Sequence, residues 1–280
     1  MKVIMNADDF GDSSSVNEAV MKAHRSGALT SASLMVAGDA FDEAVSMARD
    51  LPSLAVGLHI VLADGKAVLP PEVIPNLVDA DGLFRRAPTS AGLSYYFSPA
   101  LQNELQQEVS AQFQRFASTG LPLSHVDGHL HMHVHPTIFG LLLPLAVRYG
   151  ACGIRIPRDD FWLSMSYERD DALVKAAWAL IFGLLNRWSL RRLSSLPLIF
   201  THRVYGLMQT GRMREAYVIK VLQGLDVPSA ELYFHPAMSS DYIHFGPNPA
   251  DLEALISPKV RDILRDRGIL TTSYPGLKAE

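Results

Sequence analysis

Short runs of apolar and β-branched residues alternate along the chain with segments whose apolar positions recur every three or four residues. Residues 3–6 read as a short buried strand. Residues 15–25 read as a helix, with Val16, Ala19, Val20 and Ala23 on one face. The same reading gives a strand at 29–36, a helix at 41–49 ended by Leu51-Pro52, and a strand at 54–62. Residues 66–93 are rich in Pro, Gly and Asp and read as a long loop. A helix at 100–118 carries Leu101, Leu105, Val109, Phe113 and Phe116 on one face. Then follow a strand at 123–131, a helix at 137–149 after Pro136, a short strand at 153–156, a helix at 213–222, a strand at 230–235, a helix at 249–266 and a strand at 269–273.

Repeated strand–helix alternation predicts parallel strands joined by crossover helices, an α/β architecture. A (β/α) barrel, seven-stranded or irregular, is favoured over an open sheet, because candidate site residues fall at the ends of four different strands, where such barrels place their sites. The alternation breaks at 167–198, which reads as an apolar helical insertion into one domain spanning 1–280.

Composition narrows the class. The chain has 280 residues, 48% hydrophobic and 19% charged, with a formal net charge of −4. That is too apolar for a disordered chain and offers no basic bulk for nucleic acid. One Cys excludes internal disulfides and multi-cysteine zinc sites. The apolar stretch at 3–5 is too short for a signal-peptide core, so a cytoplasmic location is expected. No run is long enough to span a bilayer. Residues 176–186 lack charge, and Trp178, Ile181, Leu185 and Trp188 form one helical stripe with Arg187, Arg191 and Arg192 on or beside the other face. Such a helix either caps the barrel or lies on the inner face of the cytoplasmic membrane through about 176–192.

Four features carry candidate chemistry. Asp8 and Asp9 directly follow the first strand, with Gly11 allowing a turn. Paired acids there suit metal binding and base work, and equally suit a helix cap. In 125–135 five of the ten His fall within eleven residues, and on a strand His125, Asp127, His129, His131 and His133 would share a face, as befits a divalent-metal site. His59 and His235 each end a further strand. Two imidazoles, a carboxylate and an open position form the ligand set of catalytic zinc and related ions. Arg155 and Arg158 either hold an anion or site carboxylate or form a surface pair. There is no glycine-rich nucleotide loop and no serine-hydrolase elbow, and Cys152 reads as a buried structural thiol.

The segments 6–11 (NADDFG), 57–59 (GLH), 124–129 (SHVDGH, with its trailing His run) and 234–236 (FHP) resemble, in that order, the motifs of the YdjC-like carbohydrate deacetylases, which include chitooligosaccharide deacetylases. The resemblance implies a barrel of the polysaccharide-deacetylase type and one divalent metal ion, zinc or magnesium. It implies Asp9, His59 and His129 as ligands, Asp8 as general base and His235 as general acid. Segments 17–20, 29–36 and 70–72 are similar to the hopanoid-biosynthesis-associated branch of that family. That similarity implies removal of acetyl from an N-acetylglucosaminyl hopanoid lipid. The alternatives are a deacetylase of soluble chitooligosaccharides, another metal-dependent amide hydrolase, and a lipid-binding protein with a vestigial metal site.

Overall fold

The computed structural model describes residues 1–84, 87–239 and 246–278. The strands are β1 (Lys2–Phe10), β2 (Ser31–Leu34), β3 (Ala55–Ile60), β4 (His125–Gly128), β5 (Gly153–Ile154), β6 (Arg203–Tyr205), β7 (Ser229–Phe234) and β8 (Leu270–Thr272). Between them run α1 (Ser14–Ser26), α2 (Phe41–Arg49), α3 (Pro88–Phe97), α4 (Pro99–Ser118), α5 (Pro136–Arg148), α6 (Phe161–Tyr167), α7 (Ala172–Leu193), α8 (Glu215–Gly224), α9 (Pro249–Ile256) and α10 (Pro258–Asp266). α11 (Tyr274–Lys278) follows β8.

Seven parallel strands form a curled sheet in the order β5-β4-β3-β2-β1-β7-β6, as the alternation predicted; β8 pairs with the first residues of β1. The end strands approach one another across a seam. There Ile154 N–H donates to Ile199 O (2.9 Å), Ile199 N–H to Cys152 O (3.0 Å) and Val204 N–H to Arg158 O (3.2 Å). Strand alternation gives the curl two unlike faces. Val3, Met5, Ala7, Ala32, Leu34, Leu58, Val126, Ile154 and Leu232 join the apolar core shared with the helices. The alternate positions, Asn6, Asp8, Ser31, Ser33, His59, His125, Asp127, Arg155 and Glu231, are all buried and polar. Hydrogen bonds and ion pairs among these side chains fill the inside of the curl.

Local chemistry sets the helix boundaries. Ser13 caps α1 by accepting from Val16 N–H, and α4 and α5 begin at prolines whose missing N–H would have no partner there anyway. The helix expected at 249–266 is two. Ser257 caps α10 through Val260 N–H, and Pro258 cannot continue α9. The 66–93 segment is tied down, and α3 begins inside it; Arg85 and Arg86 lie outside the described residues. The buried acids Glu104 and Glu108 of α4 accept from Asn76 N–H and from Val68 and Leu69 N–H, while Gln112 brackets Val61.

Two expectations need correction. The strand expected at 123–131 ends at Gly128; a 3-10 turn spans His129–Val134, with Leu130 and His131 in the left-handed region. A Cβ on residue 128 would sit 3.0 Å from the His133 side chain and from Ile60 O, so the chain folds back tightly there and the histidines do not form one row. The span 167–198 is mostly α7, and its outward face is not the tryptophan stripe. Of the predicted stripe, Ile181 is exposed, but Trp178, Leu185 and Trp188 are half-buried, Trp188 packing edge-on against Phe139 with ring centroids 5.7 Å apart. The exposed stripe is Leu173, Ala177, Leu180 and Leu184, continued by Arg187 and Arg191. Among the described residues no helix is long and apolar enough to cross a membrane.

Candidate metal centre and active site

Both acids of the first motif reach the site because β1 is irregular there. In a regular strand Asp8 and Asp9 would point to opposite faces. Between Ala7 and Phe10 β1 carries one residue more than β2 opposite it, and Asp9 has φ +61°. Asp8 keeps the inward alternation and Asp9 is turned onto the rim. Gly11 (φ +93°) completes the turn, its N–H donating to Asn17 Oδ1 at 2.8 Å.

At the rim, Asp9 Oδ1 lies 3.1 Å from His129 Nδ1 and 3.4 Å from His59 Nε2. The two imidazoles stand edge to face, centroids 5.8 Å apart. His59 comes from the end of β3. Its Nδ1–H donates to Asp127 Oδ1 at 2.8 Å, which fixes the tautomer and turns Nε2 toward Asp9. His129 is the first residue of the turn after β4, and its side chain is 18% exposed. One donor atom from each of the three residues falls within 4.8 Å of the others.

Behind this cluster lies a buried charge network. Arg155 grips Asp8 with two parallel bonds of 2.7 Å and donates to Glu231 Oε1 at 2.9 and 2.8 Å; it also pairs with Asp127 Oδ2 at 2.8 Å. Tyr274 donates to Glu231 Oε2 at 2.6 Å, and the Arg155 guanidinium sits 4.6 Å over the Tyr233 ring. Asn6 Nδ2 donates to Asp8 Oδ1 and to Ser33 Oγ, both at 2.8 Å, and Ser33 donates to Asp127 Oδ2 at 2.7 Å. His125 lies beside Ser33, its Nε2 3.1 Å from Oγ, and fills the space that Gly57 leaves open. A Cβ there would meet the His125 ring at 2.4 Å.

The electrostatics follow from this packing. Burial opposes ionisation of Asp9, but His129 and His59 beside it hold its pKa well below the usual carboxylate range. Burial likewise disfavours charge on His59, yet Asp127, Asp9 and Asp8 push its pKa up to about 10. Asp127 is held low, against burial, by Arg155 and His59. Asp8, Asp127 and Glu231 surround one guanidinium and Asp9 lies beyond them at the rim, leaving an excess of negative charge that a cation at the rim would balance. Asp9, His59 and His129 fit a divalent ion: two imidazoles, one carboxylate and room on the solvent side. The same donors could also be grouped as Asp8–His59–Asp127 or His125–Asp127–Glu231. The acids of those groups are already engaged by Arg155.

The remaining predicted residues divide. His235 is half-buried just past β7. Its backbone N–H donates to Asp251 Oδ2 (2.9 Å), and its ring stands edge-on to Tyr233 with centroids 5.7 Å apart. Among the described residues its buried Nδ1 has no partner, which leaves a proton site available. His131 lies 2.9 Å from Tyr233 Oη through Nε2, and its ring meets Phe182 of α7. His133 donates Nε2–H to Arg155 O at 3.0 Å; burial lowers its pKa to about 4, so it is neutral. These two rings are wall rather than ligand set. Arg155 is the site residue of its pair, and Arg158 lies off the network, half-buried. Sequence reasoning missed Glu231, Tyr274, Asn6 and Ser33. A charge at the centre of the apolar run 229–234 was the available signal for Glu231.

The YdjC-like protein family model matches residues 2–266, nearly the whole described chain. The chain belongs to the YdjC-like family. It is 33% identical over 282 residues to a carbohydrate deacetylase of Brevibacillus brevis, covering 99% of this chain and all of the relative. It is 30% identical to a chitooligosaccharide deacetylase of Serratia marcescens, with 98% of each covered. Among solved structures, a protein of Enterococcus faecalis provisionally described as a cellobiose-phosphate cleavage protein superposes with a TM-score of 0.71 at 23% identity, covering 99% of this chain and 98% of its own. That likeness shows the shared fold.

Proposed function

We propose that this YdjC-like chain is a metal-dependent carbohydrate N-deacetylase that hydrolyses the acetamide of an N-acetylated amino sugar. The observation that carries the reading is the Asp9–His59–His129 cluster at the rim with Asp8, gripped by Arg155, immediately behind it. The names of the two full-length relatives support the same reaction class. Asp9, His59 and His129 would hold one divalent ion, zinc or magnesium. When bound, such an ion polarises a carbonyl and lowers the pKa of water.

The chain's own residues supply the rest. Asp8 accepts a proton as water attacks the acetyl carbon. The Arg155 fork fixes the direction of that carboxylate, so it meets the water without reorganising. Asp127 holds the His59 ring in place. His235 donates a proton to the departing amine, and acetate and a free amino sugar leave. We read 1–280 as one barrel domain into which 167–198 is inserted.

For substrate we favour an N-acetylglucosaminyl hopanoid lipid, on the similarity of segments 17–20, 29–36 and 70–72 to that branch. On this reading the enzyme works in the cytoplasm, meeting lipid-borne sugar at the inner face of the cytoplasmic membrane through about 176–192. The Serratia relative's name favours soluble chitooligosaccharides as a second reading. Mass spectrometry of both substrate classes incubated with zinc- or magnesium-loaded protein decides between them. Loss of one acetyl from the glycolipid alone supports the first, and from the oligosaccharide alone the second. Stoichiometric metal with hydrolysis of neither overturns the enzyme.

A further inference from the structure

Helix α7 is apolar on both sides: inward, Leu193 is buried and Trp188 and Leu190 pack on the core, yet leucines also line its outward side. Its inward positions include Lys175, Asn186 and Ser189, all buried, while Leu173, Leu180 and Leu184 face outward at 88%, 66% and 61% exposure. These leucines fall at i, i+7 and i+11, one stripe on a helical surface. Lys175 Nζ donates to Glu168 O (3.2 Å) and Asn186 Nδ2 donates to Pro157 O (2.8 Å), while Ser189 Oγ has no partner among the described residues. The outward leucines have no counterpart in the chain's own core. A second, outward stripe of leucines costs solubility without stabilising the fold, so the face is built for something outside the chain.

The same stripe continues C-terminally as exposed Arg187 and Arg191, with Arg192 beside them stacked at 4.2 Å over Trp188. The acids Asp170 and Asp171 sit at the opposite, N-terminal end, Asp171 paired with Arg212. Apolar side chains bordered by arginines match the acyl boundary and headgroups of an anionic membrane. α7 is also next to the site, since Phe182 on its inner face touches His131, which meets Tyr233. We infer that the Leu173–Leu180–Leu184 face, with Arg187 and Arg191, docks the protein on an anionic lipid bilayer and thereby presents the metal cluster to sugars carried at that surface. This extends the glycolipid reading above and specifies the face that meets lipid, which is not the tryptophan stripe.

Co-sedimentation with phosphatidylcholine vesicles, with and without phosphatidylglycerol, tests this on the full chain. Wild type should bind the anionic vesicles and release them as salt rises. L180S/L184S should weaken binding by at least about tenfold, because each leucine withdrawn from an apolar phase is worth roughly that factor. R187Q/R191Q should weaken binding to anionic vesicles and flatten its salt dependence. None of these side chains belongs to the catalytic machinery, so bound-metal stoichiometry, far-ultraviolet circular dichroism and the thermal midpoint in lipid-free buffer should match wild type, which certifies folding. Absent binding by wild type, or unchanged binding by L180S/L184S, overturns the proposal. So does a lipid-free dimer in sedimentation velocity that L184E splits, because a second copy would then be the occupant. Vesicle binding needs neither metal nor turnover, so a failed deacetylase assay leaves its result intact, and a failed vesicle assay leaves the deacetylase reading intact.

Discussion

Arg155→Met removes a guanidinium that is fully buried and bonded to three carboxylates while roughly preserving volume. Deleting one partner of a buried ion pair leaves uncompensated charge and typically costs about 3–5 kcal/mol. For a domain of this size that is a fall of roughly 10 °C in Tm. The sign of the pH dependence follows. In the wild type Asp127 has a depressed pKa, so its contribution is present at neutral pH and lost as pH falls. In the variant the stranded carboxylates should take up protons more readily, which relieves the penalty in acid. The deficit measured by urea unfolding should therefore be largest above pH 7 and shrink toward pH 5. Adding Glu231→Gln should restore part of the loss by removing one stranded charge, and Arg155→Lys should keep more stability than activity, because an ammonium cannot grip both oxygens of Asp8. A deficit below about 1 kcal/mol, a deficit that grows in acid, or no recovery in the double variant would refute the account of Arg155 as the charge balance of the site.

Further outcomes follow from the same geometry. Asp8→Asn should retain stoichiometric metal by elemental analysis yet lose about 10²–10⁴ in turnover; an undiminished rate would remove Asp8 as the base. Asp9→Ala should lose the metal while keeping the far-ultraviolet circular dichroism of the wild type. Gly57→Ala places a methyl 2.4 Å from the His125 ring and should cost about 1–3 kcal/mol in chemical denaturation. Asp159, which accepts from Met208 and Gly206 N–H, has its pKa raised by burial to about 6. Because its folded pKa lies above the unfolded one, wild type should lose roughly 3 kcal/mol relative to Asp159→Asn as pH rises from 4 to above 6. Parallel stability curves for the two proteins would show that Asp159 is not the cause.

What could be read from sequence was what local pattern determines. Helix α2 was legible to the residue, because its apolar spacing and the Leu51-Pro52 stop agree. The candidate strand ends were legible because parallel strands gather their ends, whereas the choice of Asp9, His59 and His129 among the acids and histidines there rested on the resemblance to the YdjC-like motifs. The histidine run misled because a period of two looks the same on a strand and on an irregular turn, and the two residues that take the left-handed conformation there, Leu130 and His131, are not glycines. Arg155 was ambiguous, since its partners Glu231 and Asp8 lie 76 and 147 residues away and nothing nearby announces them. The facing of α7 escaped because leucines and tryptophans populate several of its sides, so periodicity alone could not say which side the protein keeps for itself.

The extra residue in β1 sets stability selection against chemistry. A left-handed φ at Asp9 costs free energy that Gly would not incur, and Asp is tolerated there better than most residues. Selection for heat resistance alone, with no demand for turnover, should therefore enrich Gly at position 9 or a deletion that restores regular pairing with β2. Either change gives a sturdier sheet that has surrendered its carboxylate. A stabilised ancestor or consensus design of this fold that still carries an acid at that position testifies, by that residue alone, that the chemistry was being used.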